Sequence, residues 1–141
     1  MPDVEAPLLL DTCAVIWIAE DQPISSSATL ALDKAHAADQ FVYISPITAW
    51  EVGLLVARGR LTTIIKPQLW FERVLDVPNV RLAEMSPDLL ISSSFLPGAP
   101  PRDPADRIIA ATAREYGYAL VTRDRELLIY AEQGHIQAVG C

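Results

Sequence analysis

Leu8-Leu-Leu-Asp11-Thr-Cys-Ala-Val-Ile-Trp17 changes character at its fourth residue. Pro7 to Leu10 is an apolar run too short for a helix, and it reads as a buried strand ending at Asp11. Thr12 to Ala19 has helical composition. A strand that passes through an acid into a helix sets the pattern for the chain. Ser25 opens a helix to about Ala38, and Phe41 to Ile44 is rich in β-formers. Ser45 and Pro46 give an N-cap and a first-position proline, with the helix running to Arg58 and stopping at Gly59. A helix over Pro67 to Leu75 and a short strand over Val80 to Leu82 follow. Ser86-Pro87 opens a helix to about Phe95.

Leu96 to Arg102 holds three prolines and a glycine and is a loop. Asp103-Pro104 opens a helix to Tyr116, stopped by Gly117. Tyr118 to Thr122 is an apolar strand, Arg125 to Ala131 a short helix, and Ile136 to Val139 a last strand. Strands alternating with helices imply an α/β fold, a parallel sheet with helices on both faces. Ligands of such sheets gather at the carboxyl ends of the strands.

With 141 residues, 51% of them apolar, residues 1–141 are expected to form one domain with a sizeable core. No apolar run approaches the roughly 20 residues of a membrane helix. The opening, Met-Pro-Asp-Val-Glu, is acidic where a secretory leader is basic. Two cysteines in no framework spacing suit a reducing cytoplasm, so a cytoplasmic protein is expected. Cys13 reads as a small buried hydrophobe and Cys141 as a tail residue. The net charge of −7 argues against a general nucleic-acid binder, which shows a basic face.

The acids are placed unevenly. Asp11 and Asp124 fall at or just past strand ends, the edge where a site is expected. Ile47, Trp50, Leu54 and Leu55 form one stripe of their helix, and Glu51 lies on that stripe, which reads as core-facing. Asp106 precedes Ile109, Ala110 and Ala113 at spacings of three, four and seven, on a buried face. A carboxylate there is costly unless it is paired or binds a cation. Each acid also has a purely structural reading. Asp11 can end a strand, Glu51 can pair with an interior arginine, and Asp103 can cap its helix. Asp106 can favour the helix dipole, and Asp124 can be a turn residue. The two lysines, Lys34 and Lys66, are remote from all of them. Converging carboxylates repel unless a cation sits among them, and oxygen ligands select Mg²⁺ or Mn²⁺ over zinc. His36 and His135 are isolated and read as surface residues. One or two such ions suit phosphodiester hydrolysis.

Four segments together resemble the PIN-domain family, in particular its VapC-like toxins. They are the opening Leu8 to Trp17, Ser45-Pro-Ile-Thr-Ala-Trp50-Glu51-Val-Gly, Arg102-Asp103-Pro-Ala-Asp106-Arg107-Ile-Ile-Ala110-Ala111-Thr-Ala113, and Leu120-Val-Thr122-Arg-Asp124. The resemblance covers nearly the whole chain. It implies a three-layer α/β/α domain and a Mg²⁺-dependent endoribonuclease, inhibited by a cognate antitoxin and forming homodimers. It implies a catalytic, metal-holding quartet of Asp11, Glu51, Asp106 and Asp124, with Asp103 as a neighbour. Ser45, Thr12 and Thr122 match small hydroxyl positions that orient carboxylates or waters. The chain departs from related toxins at Pro101, where they often carry histidine, at Ala105, where they carry phenylalanine, and near Ala57, where they carry lysine. Arg58, Arg60, Arg102 and Arg107 remain to hold phosphates. Trp17, Trp70 and Phe71 read either as core or as an apolar flank for an inhibitor.

Other phosphate chemistries on similar sheets fit less well. A haloacid-dehalogenase-type phosphatase wants a second aspartate two residues after the first, where this chain has Cys13. A receiver domain wants a lysine after a late strand, and no glycine-rich phosphate loop is present. The alternative outside enzymes is a catalytically silent PIN-like scaffold that binds a protein.

Overall fold

The computed structural model describes residues 6–141; the acidic opening, residues 1–5, lies outside the described residues. Its elements are β1 (Leu8–Leu10), α1 (Thr12–Ala19), α2 (Ser26–Ala37), β2 (Val42–Ile44), α3 (Ile47–Ala57) and α4 (Pro67–Leu75). They continue with β3 (Val80–Leu82), α5 (Pro87–Ser92), α6 (Pro104–Tyr116), β4 (Ala119–Thr122), α7 (Arg125–Glu132) and β5 (Gln137–Gly140). The five strands form one parallel sheet in the order β3-β2-β1-β4-β5. The chain winds outward from β1 to β3, then returns to lay β4 on the other side of β1. The strand order therefore reverses between β1 and β4, and a crevice opens there at the carboxyl ends of the strands.

The three leucines of β1 explain both helical layers. Successive side chains of a strand point to opposite faces. Leu8 and Leu10 pack with Ile44 and Val121 against Ala14 and Val15 of α1 and Ala28 and Ala35 of α2, with Trp70, Phe71 and Val74 of α4 alongside. Leu9 packs with Leu120 against Ile109, Ala110 and Ala113 of α6 and Leu127 and Tyr130 of α7. Leu9, Leu120, Ile109 and Leu127 are fully buried. Each such side chain contributes about 1.5–3 kcal/mol of transfer free energy. The architecture is the expected three-layer α/β/α, and Trp70 and Phe71, partly buried, pack against its core. Among the described residues no helix is long and apolar enough to cross a membrane.

Five local expectations change. The helix after Ser86 ends at Ser92 instead of near Phe95, because Ser93 turns its hydroxyl back onto the Leu90 carbonyl at 2.6 Å. α3 begins at Ile47, one residue late, though the Ser45 hydroxyl still accepts the Ile47 N–H at 3.1 Å. The stripe chosen for α3 is not its core face. Thr48 and Val52 are the buried positions, and Trp50 is 57% exposed. Cys13 is exposed, not a buried hydrophobe. His135 is half-buried, its ring 4.7 Å from that of Tyr130, where a surface residue was expected.

Candidate active site

Three of the acids sit where a loop enters a helix, and each caps that helix. An Asp11 oxygen accepts the Ala14 N–H at 2.7 Å, an Asp103 oxygen the Asp106 N–H at 3.0 Å, and an Asp124 oxygen the Leu127 N–H at 3.0 Å. The structural reading of Asp103 as a helix cap is therefore correct as far as it goes, and Asp124, read as a turn residue, is a cap as well. The positive ends of α1, α6 and α7 point into one crevice and offset part of the repulsion among these carboxylates.

Asp11 is held hardest. Its N–H donates to the Val121 carbonyl at 3.1 Å, which extends the β1–β4 ladder by one residue. Its second oxygen accepts from the Thr122 hydroxyl, and that hydroxyl in turn accepts the Asp124 N–H at 3.0 Å. One threonine thus fixes the ends of both strands. Among the described residues Glu51 has no arginine partner. It accepts a 2.5 Å hydrogen bond from the Thr12 hydroxyl, which also meets the Thr48 hydroxyl at 3.1 Å. Thr48 was not singled out in the sequence, although it stands one turn before Glu51. Ser45 serves its own helix start and touches none of the carboxylates. Asp106 lies one turn into α6, on the edge of its buried face as expected.

The charges confirm that these groups share a space. Burial pushes Asp106 up to about 7, helped by Asp103, Asp124, Glu51 and Asp11 in that order. Burial also raises Glu51, against the Thr12 hydrogen bond and with help from Asp103 and Asp11. Asp11 is raised by burial, opposed by the hydrogen bonds from Thr122 and Ala14. The Cys13 thiol, on the wall of the same crevice, is pushed up to about 11 by desolvation and then by Asp11, Glu51, Asp106 and Asp124. All four acids of the quartet, with Asp103, Thr12 and Cys13, line one cavity of about 330 Å³. Its far wall is α3, through Trp50, Leu54, Leu55 and Arg58, with Arg60 just beyond.

Whether a metal suits this crevice is decided by its donors. They are carboxylates, with no histidine among the lining residues and a thiol held protonated. That set fits a hard divalent cation. As placed, however, no three His, Cys, Asp or Glu side chains among the described residues are gathered closely enough to hold an ion. Gathering them requires a charge that offsets their desolvation and repulsion, which such a cation supplies.

A family model described as PIN domain matches residues 8–133. The chain belongs to the PIN-domain family. Ribonuclease VapC22 of Mycobacterium tuberculosis is 35% identical to this PIN domain over 121 residues, covering 85% of this chain and 88% of that one. Two solved structures share its fold. One is VapBC2 from Rickettsia felis bound to a DNA fragment from their promoter, with a TM-score of 0.67, 16% identity, and 94% and 97% of the two chains covered. The other is FitAcB from Neisseria gonorrhoeae, with a TM-score of 0.55, 23% identity, and 93% and 95% covered.

Of the departures of this PIN domain, Pro101 lies outside the lining of the crevice, whereas Ala105 and the arginines that follow Ala57 are part of it. Pro101 and Ala105 are buried, and the Pro101 carbonyl accepts from Arg107 Nε at 2.7 Å. That contact ties Arg107 to the loop. Arg58 and Arg60 are the arginines that line the crevice.

Proposed function

We propose that this chain is a metal-dependent endoribonuclease, the toxin of a toxin–antitoxin pair, acting as one nuclease domain in the cytoplasm and as a homodimer. The observation that carries this reading is the convergence of Asp11, Glu51, Asp106 and Asp124 on one crevice at the reversal of the strand order. PIN ribonucleases generally use a divalent metal, and here Asp11, Glu51, Asp106 and Asp124 would hold Mg²⁺, with Mn²⁺ as a substitute. The bound cation supplies Lewis-acid polarisation of a phosphodiester and a more acidic water. The protein's own groups do the rest. Thr122 and Ala14 orient Asp11, Thr12 orients Glu51, and Asp103 completes the negative wall from the start of α6. Leu54 and Leu55 help to exclude bulk water. A single-stranded RNA is the fitting substrate, since the backbone must enter a narrow crevice. The partner is an antitoxin protein, as the resemblance to VapC-like toxins implies.

The test is cleavage of cellular RNA by the purified, partner-free chain with Mg²⁺, beside Asp11→Asn. The wild type should cut, and the variant should lose more than the roughly 100-fold that supporting residues of a metal site account for. Equal cutting by both, or none by either, sinks the proposal. The silent-scaffold reading has one observation in its favour: although the acids share one crevice, no three of them are gathered closely enough among the described residues to hold an ion. It predicts no binding of Mg²⁺ in calorimetry.

A further inference from the structure

The chain has three tryptophans, and two of them are in use. Trp17 carries the Arg123 guanidinium 3.4 Å above its ring centre. Trp70 packs on the core cluster of β1 and α2. Trp50 makes no hydrogen bond or ring contact among the described residues, and it is 57% exposed. It lies on the rim of the acid crevice, one residue before Glu51. Successive helical side chains point about 100° apart, so Trp50 stands to one side of Glu51, and both line the same crevice.

The two walls of the crevice differ in kind. One is acidic, built from Asp11, Asp103, Asp106 and Asp124. The other is α3 and its exit, where Glu51 is the single acid and Trp50, Leu54 and Leu55 lead to Arg58 and Arg60. A nucleic-acid strand meets repulsion from the first wall wherever no cation stands between them. The second wall offers what a strand needs: two guanidinium groups for phosphates and an unoccupied aromatic face for a base.

We infer that Trp50 stacks on a base of the single-stranded substrate next to the cleaved phosphate, with Arg58 and Arg60 on the flanking backbone. This inference rests on the ribonuclease reading and adds a positioning residue to it. Stacking on an aromatic face tolerates any base, so Trp50 sets where a strand lies and not which sequence is read.

The test uses two fluorescein-labelled strands of equal length, an unstructured poly-uridine and its abasic counterpart. Anisotropy is followed with Ca²⁺, a hard cation of similar ligand preference. The wild type should prefer the base-bearing strand, and Trp50→Ala should weaken that strand by roughly 5- to 100-fold while the abasic strand is bound as before. Trp50→Phe should keep most of the preference. Equal weakening of both strands, or of neither, overturns the inference. So does a changed molar mass of Trp50→Ala in light scattering, which would make Trp50 an interface residue. If the wild type cuts RNA with Mg²⁺ and yet shows no preference between the strands, the stacking fails and the ribonuclease reading survives. A wild type that neither cuts nor binds RNA overturns both.

Discussion

Thr12 and Thr122 show how little is needed to aim a carboxylate. Each is buried, and each donates its hydroxyl to one acid, Thr12 to Glu51 and Thr122 to Asp11. Replacing Thr12 by valine keeps the shape and removes the donor. Glu51 then loses its one hydrogen bond and is free to swing. Thr12→Val should lower kcat for RNA cleavage by about 10–100-fold, the usual effect of a residue that orients a metal ligand. Its unfolding free energy in urea should fall by about 1–3 kcal/mol, since the contacts with Glu51 and with the Thr48 hydroxyl are both lost. A Thr12→Val chain with full activity would show that Glu51 needs no such support. Cys13 teaches a different lesson at this scale. Its neighbours Leu10, Ala14 and Val15 are buried, so its sequence surroundings suggested the interior. Helix α1 turns that one position into the crevice, beside charges contributed by distant segments.

At the scale of elements, helix starts carry both the fold and the site. α1, α6 and α7 begin at Asp11, Asp103 and Asp124, and each side chain accepts an N–H three residues on. Asparagine caps a helix as well as aspartate, whereas alanine does not. Asp103→Ala should therefore destabilise the chain by about 0.5–2 kcal/mol, whereas Asp103→Asn keeps the cap, removes a repelling charge and should leave the metal-free chain at least as stable, read from urea unfolding. If both variants fall equally, the charge of Asp103 and not its cap is what the fold uses. The same locality made most of the fold legible in the sequence. Strands β1 and β3, helices α1 and α4, and the limits of α6 follow from runs, caps and stops that lie within a few residues of one another. Helix α3 resisted. Ile47, Trp50, Val52, Leu54, Leu55 and Val56 place apolar groups around most of its circumference, so no stripe points unambiguously inward. Glu51 was recognised as out of place on an apolar stripe, but the stripe faces the crevice. The partners Thr12 and Thr48 come together across 36 positions of chain, a distance that no local pattern spans. Trp50 was assigned to the core for the same reason.

For the molecule as a whole, the crevice is a store of electrostatic repulsion. Asp106 titrates at about 7 in the folded chain against 3.8 for the ordinary group, and Asp11 and Glu51 are shifted in the same direction. Between those values the folded state keeps a proton that the unfolded chain has lost. Stability of the metal-free protein should therefore be highest below the ordinary carboxylate range, fall as pH rises through about 7, and stay low above it. Mg²⁺ needs ionised ligands and stabilises only the folded state, so it should raise Tm more at about pH 8 than at about pH 5. Differential scanning fluorimetry with and without Mg²⁺ checks both statements. A metal-free Tm that climbs across this window, or a Mg²⁺ effect independent of pH, contradicts them. The helix caps also have a meaning for inheritance. An aspartate codon becomes an asparagine codon by a change in its first base alone. At Asp11, Asp103 and Asp124 that change leaves a competent cap and takes away a charge. A lineage can thus lose a charge of the crevice in one step while the chain still folds, and an intact reading frame is no guarantee of activity.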